Sequence, residues 1–526
     1  MKILFNAHIH TLDQIRPYAS VLVIDRERIA AIGGEELIAS FGARASREDM
    51  GGRVILPGLT DAHIHLMNYA LSLQKVNVET STKQECLRRV AERAQATPPG
   101  AWILGHGWQQ NDWGGEFGIA SDLDQAAPHN PVYLTAKSLH AGWANSATLK
   151  LAGITVNTPD PENGKILRNA GGQPTGILLE SAMGLIESAL PQPSVAEAAD
   201  AIRAAIPTLY RIGLTGAHDF DYRTAFMALQ LLRESGDLRL RVIKSVPPDL
   251  LEHAHALGLR SGFGDDILRI GSYKNFMDGA LGPRTAAMFQ PYLNDPENRG
   301  ILNLDGEELL EMGRKAADSG LSMAVHAIGD RAVHEVLNAY EQLRAYERQH
   351  GLPRLRHRIE HVQIIHPDDV GRLAELGVIA SMQPVHAVSD MLAADRFWGD
   401  RARLAYAPRT QLEAGAPLAF GSDAPVESPN PFLGLHAAVT RRRADGSPGP
   451  EGWYPEQRLS MAEALAGFTT GAAYAAGMED RLGRLSPGYY ADLIVLEEDP
   501  LTCPPDVLLT MQTFATMLGG EWVWQS

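Results

Sequence analysis

Apolar and polar positions alternate in two distinct textures along the chain. Near the start the apolar runs are short and broken by turn residues. Val21-Leu22-Val23-Ile24 runs into Asp25-Arg26-Glu27-Arg28, and Ile29-Ala30-Ala31-Ile32 stops at Gly33-Gly34. Short apolar runs bounded by turn signals predict hairpin strands rather than βα units. The far end repeats the texture, with Asp492-Leu493-Ile494-Val495-Leu496 and later Met517-Leu518-Gly519-Gly520-Glu521-Trp522-Val523-Trp524. Neither end carries enough apolar residues for a core of its own. Residues 1–57 and 475–526 are therefore expected to pack together as one small β-sandwich domain, bringing the two ends of the chain close.

From about residue 195 the pattern becomes regular. Helical spacing over 196–210 precedes an apolar run at 214–219, and a longer run covers 268–276. Helical stretches at 307–318, 332–348, 368–376 and 409–414 each lead into a short run, at 321–326, 358–361, 378–384 and 416–423. Strands alternating with helices indicate parallel βα units. Counted from the strand before His63, about eight such units fit, the number that closes a barrel. The run at 268–276 counts as the fourth strand, and the second is the weakest in pattern. The expected fold is α/β, a (β/α)8 TIM-type barrel over 58–474 with the composite β-sandwich at its side. The stretch from about 70 to 200 is too long for one barrel connection. Its strand candidates, 101–104 and 132–135, flank a loop rich in Trp, Gly and Asp, so it reads as an insertion that covers the active site.

Composition narrows the functional class. Apolar residues make up 45% and charged residues 21% of the 526, as in ordinary globular proteins. A formal charge of −16 excludes the basic surface that nucleic-acid binding requires. Two cysteines, Cys86 and Cys503, cannot make a disulfide framework or a cysteine-rich zinc site. No apolar run reaches ~18 residues and no signal-type segment opens the chain. The expectation is a soluble cytoplasmic protein with a small-molecule substrate and no membrane or nucleic-acid partner; homodimerisation is left open.

Histidine carries the chemistry. An apolar run, Val54-Ile55-Leu56, is stopped by Pro57-Gly58, and a second run delivers His63 and His65. Residues i and i+2 of a strand share a face, so the two imidazoles project side by side, as a metal site needs. His8-Ile9-His10 has the same spacing but reads as a surface strand. Collected from the ends of successive strands, His63, His65, His218, Lys274, His326, His361 and Asp423 make a set that packing does not account for. Buried polar groups of this kind need partners, and a shared metal supplies them.

These residues sit in motifs that resemble the amidohydrolase superfamily, and within it the amidohydrolase-3 or YtcJ-like family that includes N-substituted formamide deformylase. The stretches are Pro57-Gly58-Leu59-Thr60-Asp61-Ala62-His63-Ile64-His65, Trp143-Ala144-Asn145-Ser146-Ala147, Lys274 to Gly282, Val325-His326-Ala327-Ile328-Gly329-Asp330-Arg331-Ala332, and Gly421-Ser422-Asp423. The resemblance implies a metal-binding barrel with a flanking β-sandwich. It implies that His63, His65 and Asp423 bind one zinc, and that His326 and His361 bind a second. Lys274 would bridge the two as a carboxylated lysine; its plainer role is a salt bridge to Asp278. One zinc or two, or another divalent metal, fits the pattern. His218 is expected to stand behind the ligands, with Trp108, His140, Arg284 and His386 as pocket candidates. Asp423 is the expected proton carrier. The activity implied is hydrolysis of a C–N bond in an amide or N-substituted formamide. Alternatives are a deaminase or cyclic amidase using the same site, and a metal-binding regulatory protein without catalysis.

Overall fold

The computed structural model describes residues 1–42, 45–108, 110–136, 141–161, 164–282 and 284–526, with the backbone alone at 111 and 112. The chain forms two compact units, one made of Met1–Ala70 with Val195–Ser526 and the other of Leu71–Ser194.

The larger unit is built on eight parallel strands: β1 (Leu59–Ile64), β2 (Leu214–Asp219), β3 (Arg241–Val246), β4 (Leu268–Phe276), β5 (Met323–Ala327), β6 (Arg358–His361), β7 (Ile379–Met382) and β8 (Leu418–Phe420). They lie in that order around the sheet. The sheet nearly closes, because Asp423 N–H donates to the His63 carbonyl at 2.7 Å and His65 N–H to the Ala424 carbonyl at 2.9 Å. Helices connect the strands. The one at Val195–Arg211 buries Ala198, Ile202, Ala205, Ile206 and Leu209, a stripe at helical spacing. This is the expected (β/α)8 barrel, with one correction to the strand count. The run at 214–219 is the second strand, and the strand that the pattern left unmarked is the third, Arg241–Val246. Its charges are buried in pairs: Arg241 meets Asp492 at 2.5 Å and Lys244 meets Asp219 at 3.0 Å.

Both ends of the chain build the flanking β structure. One sheet runs Glu521–Gln525, Ala515–Leu518, Leu493–Leu496, Val54–Pro57, His8–His10, Tyr18–Ala19, and a second runs Arg28–Gly33, Val21–Asp25, Lys2–Phe5, Ser46–Asp49. Leu4, Leu22 and Ile55 share a core with Leu493, Val495 and Met517, so the two sheets form a sandwich. His8 and His10 belong to it, and the His10 ring meets Asp499 at 2.9 Å.

The smaller unit has its own six-stranded sheet, including Ile103–Trp108 and Val132–Ala136. Among the described residues no helix is long and apolar enough to cross a membrane.

Candidate metal centre

The first barrel strand turns His63 inward, and Asp61 fixes the backbone that carries it. Asp61 Oδ1 accepts the N–H groups of His63 and Ser422, both at 3.0 Å, and Ser422 Oγ donates to Oδ2 at 2.5 Å. One buried carboxylate thus ties β1 to the loop after β8. Burial pushes its pKa up to about 7 against these hydrogen bonds. A Cβ on Gly421 would lie 2.4 Å from His63 N and 2.6 Å from Asp61 Oδ1; the approach is possible only without a side chain. The residues that follow depart from strand geometry. Asp423 has φ +61°, and His361 and Val362 at the end of β6 have φ +77° and +45°. Left-handed conformations at non-glycine residues are strained and cluster at functional sites.

His63, His361 and Asp423 each offer a ligand atom, and the three atoms lie within 4.8 Å of one another. The outer nitrogens of both rings are occupied. His63 Nδ1 donates to Glu360 Oε2 at 2.6 Å and His361 Nδ1 donates to Gln383 Oε1 at 2.8 Å. Each Nε2 is left as an acceptor, the form in which imidazole binds metal, and an outer hydrogen bond to a carboxylate or amide is how ligating histidines are oriented. Burial, opposed by Glu360, holds His63 down to about 4, and burial with the neighbouring His326 holds His361 well below the usual range. Both rings are neutral at pH 7. Burial alone would raise Asp423, but the hydrogen bond from His65 leads the opposing effects, and its carboxyl lies well below the ordinary value. Two neutral imidazoles and an ionised carboxylate suit a divalent metal.

The other expected residues are placed as follows. His65 stands at the edge, its Nε2 3.4 Å from Asp423 Oδ1 and its Nδ1 3.3 Å from Asp221. His326, on β5, has its ring centroid 4.6 Å from that of His361, while its Nε2 donates to the Gly279 carbonyl at 2.9 Å. Lys274 is buried on β4 with its Nζ over Phe220 and Phe276. Burial lowers it to about 8 despite Glu360 and Asp423. It makes no salt bridge to Asp278, whose carboxylate instead takes the N–H groups of Ala287, Ile328 and Gly329. His218 accepts a hydrogen bond from Arg358 at 3.0 Å behind the cluster. His386 stacks on His361 with centroids 6.2 Å apart. Arg284 is paired with Asp295 at 2.8 Å and part exposed. Trp108 is buried in the smaller unit, its indole N–H donating to the Leu134 carbonyl. His140 lies outside the described residues.

Several residues that orient the site escape sequence reasoning. Arg358 and Glu360 point into the barrel from β6, bonded to each other, and Arg358 also reaches Ser381 and the Ala62 carbonyl. Their signal was present, two charges at i and i+2 of a strand otherwise buried. Asp221 and Gln383 sit in connecting turns with no pattern to mark them.

Comparison with known proteins agrees with this geometry. The amidohydrolase family model matches residues 48–524. The putative amidohydrolase YtcJ of Bacillus subtilis is 33% identical, over 93% of this chain and 93% of its own. The N-substituted formamide deformylase of Arthrobacter pascens is 29% identical, over 98% and 97%. Among solved structures, an uncharacterized metal-dependent hydrolase from Pyrococcus horikoshii superposes with a TM-score of 0.81 at 28% identity, over 96% of this chain and 99% of that one. With its near-closed barrel, its buried His/His/Asp cluster and a family match over nearly its whole length, the chain belongs to the amidohydrolase family.

Proposed function

We propose that the protein is a zinc-dependent hydrolase of C–N bonds, acting on an amide or N-substituted formamide. The observation that carries this reading is the convergence of two neutral imidazoles, oriented by Glu360 and Gln383, with an ionised carboxylate at the C-terminal end of the barrel strands, where barrel enzymes keep their catalytic groups. His63, His361 and Asp423 would hold a metal, with His65 beside them, and His326 and Lys274 are the candidates for a second. A neutral Lys274 amine, favoured by its lowered pKa, can add carbon dioxide and release one proton, giving a carbamate whose oxygens are donors. A bound divalent metal lowers the pKa of water to about 7 and polarises a carbonyl.

The chain's own residues supply the rest. Asp423, kept ionised, takes a proton from the attacking water and returns it to the leaving nitrogen. His65 stands at the edge of the cluster between Asp221 and Asp423, where its ring can join the donors around the metal. Gln363 Nε2 donates to His386 Nδ1 at 3.4 Å. That leaves His386 Nε2–H and Gln363 Oε1 buried without partners among the described residues. A donor and an acceptor beside His361 complement the carbonyl and N–H of a secondary amide. The deformylase relative supports a formamide as the first compound to try.

The test is product analysis on a panel of N-substituted formamides and simple amides with zinc-loaded protein. Formate or another carboxylate with a free amine is expected, and Asp423→Asn should lower kcat by roughly 10²–10⁴-fold. Ammonia would indicate a deaminase, and a ring-opened acid from cyclic compounds a cyclic amidase. Full activity in Asp423→Asn would sink the assigned role. Protein that purifies metal-free and turns over nothing would favour the regulatory reading.

A further inference from the structure

Beside His361 lies a small cavity that the reaction proposed above does not use. It is walled by Met382, Pro384, Ala387, Pro408, Phe420 and Ala438, with Gln383, Tyr406, His361 and Arg441 completing the lining. The walls are largely apolar, and the space left is about that of one water molecule.

Arg441 is the anomaly in this wall. It caps the helix Pro431–Thr440 in the left-handed region, φ +57°, and the residue is 1% exposed. Nη1 donates to the Tyr406 carbonyl at 2.7 Å and Nε to the Trp453 carbonyl at 2.9 Å, with the guanidinium over the Trp453 ring. Nη2 is buried and has no acceptor among the described residues. No described carboxylate comes within ion-pairing distance, and Glu456, which acts on the guanidinium through space, is exposed. The other buried arginines of the larger unit are matched by acids: Arg241 by Asp492, Arg344 by Glu347, Arg358 by Glu360. A buried charge without a counter-charge is costly, and arginine cannot escape the cost by losing its proton near neutral pH.

The geometry points to a monovalent-anion site: we infer that a halide, chloride in ordinary solution, occupies the cavity against Arg441. The orphan N–H groups supply donors, the apolar walls exclude larger oxyanions, and the volume admits one monatomic ion. Because His361 and Gln383 share the wall, the ion would neutralise Arg441 next to one candidate metal ligand and the amide that orients it. A water molecule could accept one hydrogen bond from Nη2 but would leave the charge uncompensated.

Two measurements test this. Crystals of the full chain prepared in sodium bromide should show an anomalous peak beside Arg441. In solution, binding to the folded state alone raises stability with ligand concentration. The Tm should therefore rise as sodium chloride replaces sodium gluconate, whose anion is too large for the cavity, and Arg441→Met should lose that chloride-specific rise. The bromide experiment uses the native chain, so it decides the matter even if Arg441→Met folds poorly. A cavity holding only water in bromide, or a chloride response unchanged in a folded Arg441→Met protein, would overturn the inference.

Discussion

Glu360 lies 2.6 Å from His63 Nδ1 through Oε2 and accepts from Arg358 Nε at its other oxygen. Burial would raise its pKa, but Arg358 and His63 outweigh it and keep it ionised. Replacing it by Gln removes the charge that fixes the His63 tautomer. Partners of this kind typically contribute 10–100-fold to metal affinity, so Glu360→Gln should weaken zinc binding by about that factor in chelator competition; unchanged affinity would remove Glu360 from the centre. His65 gives a pH signature in the metal-free protein. Its pKa is raised from 6.5 to about 9 in the folded state by Asp221 and Asp423, which overcome burial. The stability it contributes is fully present below pH 6.5 and is lost as pH rises through about 9, on the order of 2 kcal/mol in all. Lys274, lowered to about 8, acts in the opposite direction only above that pH. Denaturation curves should show the loss in the native chain and not in His65→Asn. At this scale the candidate ligands were legible because histidines at strand ends form a pattern with a chemical meaning. Asp221, Gln363 and Gln383 were not, since a polar residue in a turn looks the same whether it faces solvent or the back of an imidazole.

Among the elements, the seam between β8 and β1 is closely constrained. Gly421 leaves no room for a side chain against the His63 backbone and the Asp61 carboxylate, and the bonds that join the two strands follow directly after it. Gly421→Ala should cost about 1–3 kcal/mol in urea denaturation, as overpacking of a rigid site does, and should lower activity beyond the loss of folded protein. A neutral substitution would mean that the seam has slack that the geometry does not show. The strand that sequence reasoning missed has a physical explanation of the same kind. Arg241-Val242-Ile243-Lys244-Ser245-Val246 is buried along its whole length, yet its two cations read as solvent-facing. Their acids, Asp492 and Asp219, lie far along the chain or on another strand, so nothing local marks them as buried pairs. The runs at 214–219 and 321–326 were legible because each follows a helical stretch and ends in polar residues that include a histidine.

For the molecule as a whole, a buried ion pair spans the joint between barrel and β-sandwich. Arg241, from the start of β3, donates through Nε and Nη2 to both oxygens of Asp492, at 2.5 and 2.9 Å. Asp492 immediately precedes the sandwich strand Leu493–Leu496. Its carboxylate also accepts the Gly519 N–H, and its carbonyl accepts the Gly58 N–H at the entry to β1. Arg241 stacks on Tyr490 as well. Both side chains are 6% exposed, so removing one leaves the other charged and buried. Asp492→Ala should therefore destabilise the protein by ~3–5 kcal/mol. Arg241→Met combined with Asp492→Asn, which removes both charges and keeps an acceptor for Gly519, should recover most of that loss. If the double variant is as unstable as the single one, the joint depends on the hydrogen-bond geometry of Asp492 rather than on charge balance. If Asp492→Ala is nearly neutral, the sandwich and the barrel are held by their shared apolar contacts, and the pair serves only to set the register in which the sandwich feeds its chain into the strand that carries His63.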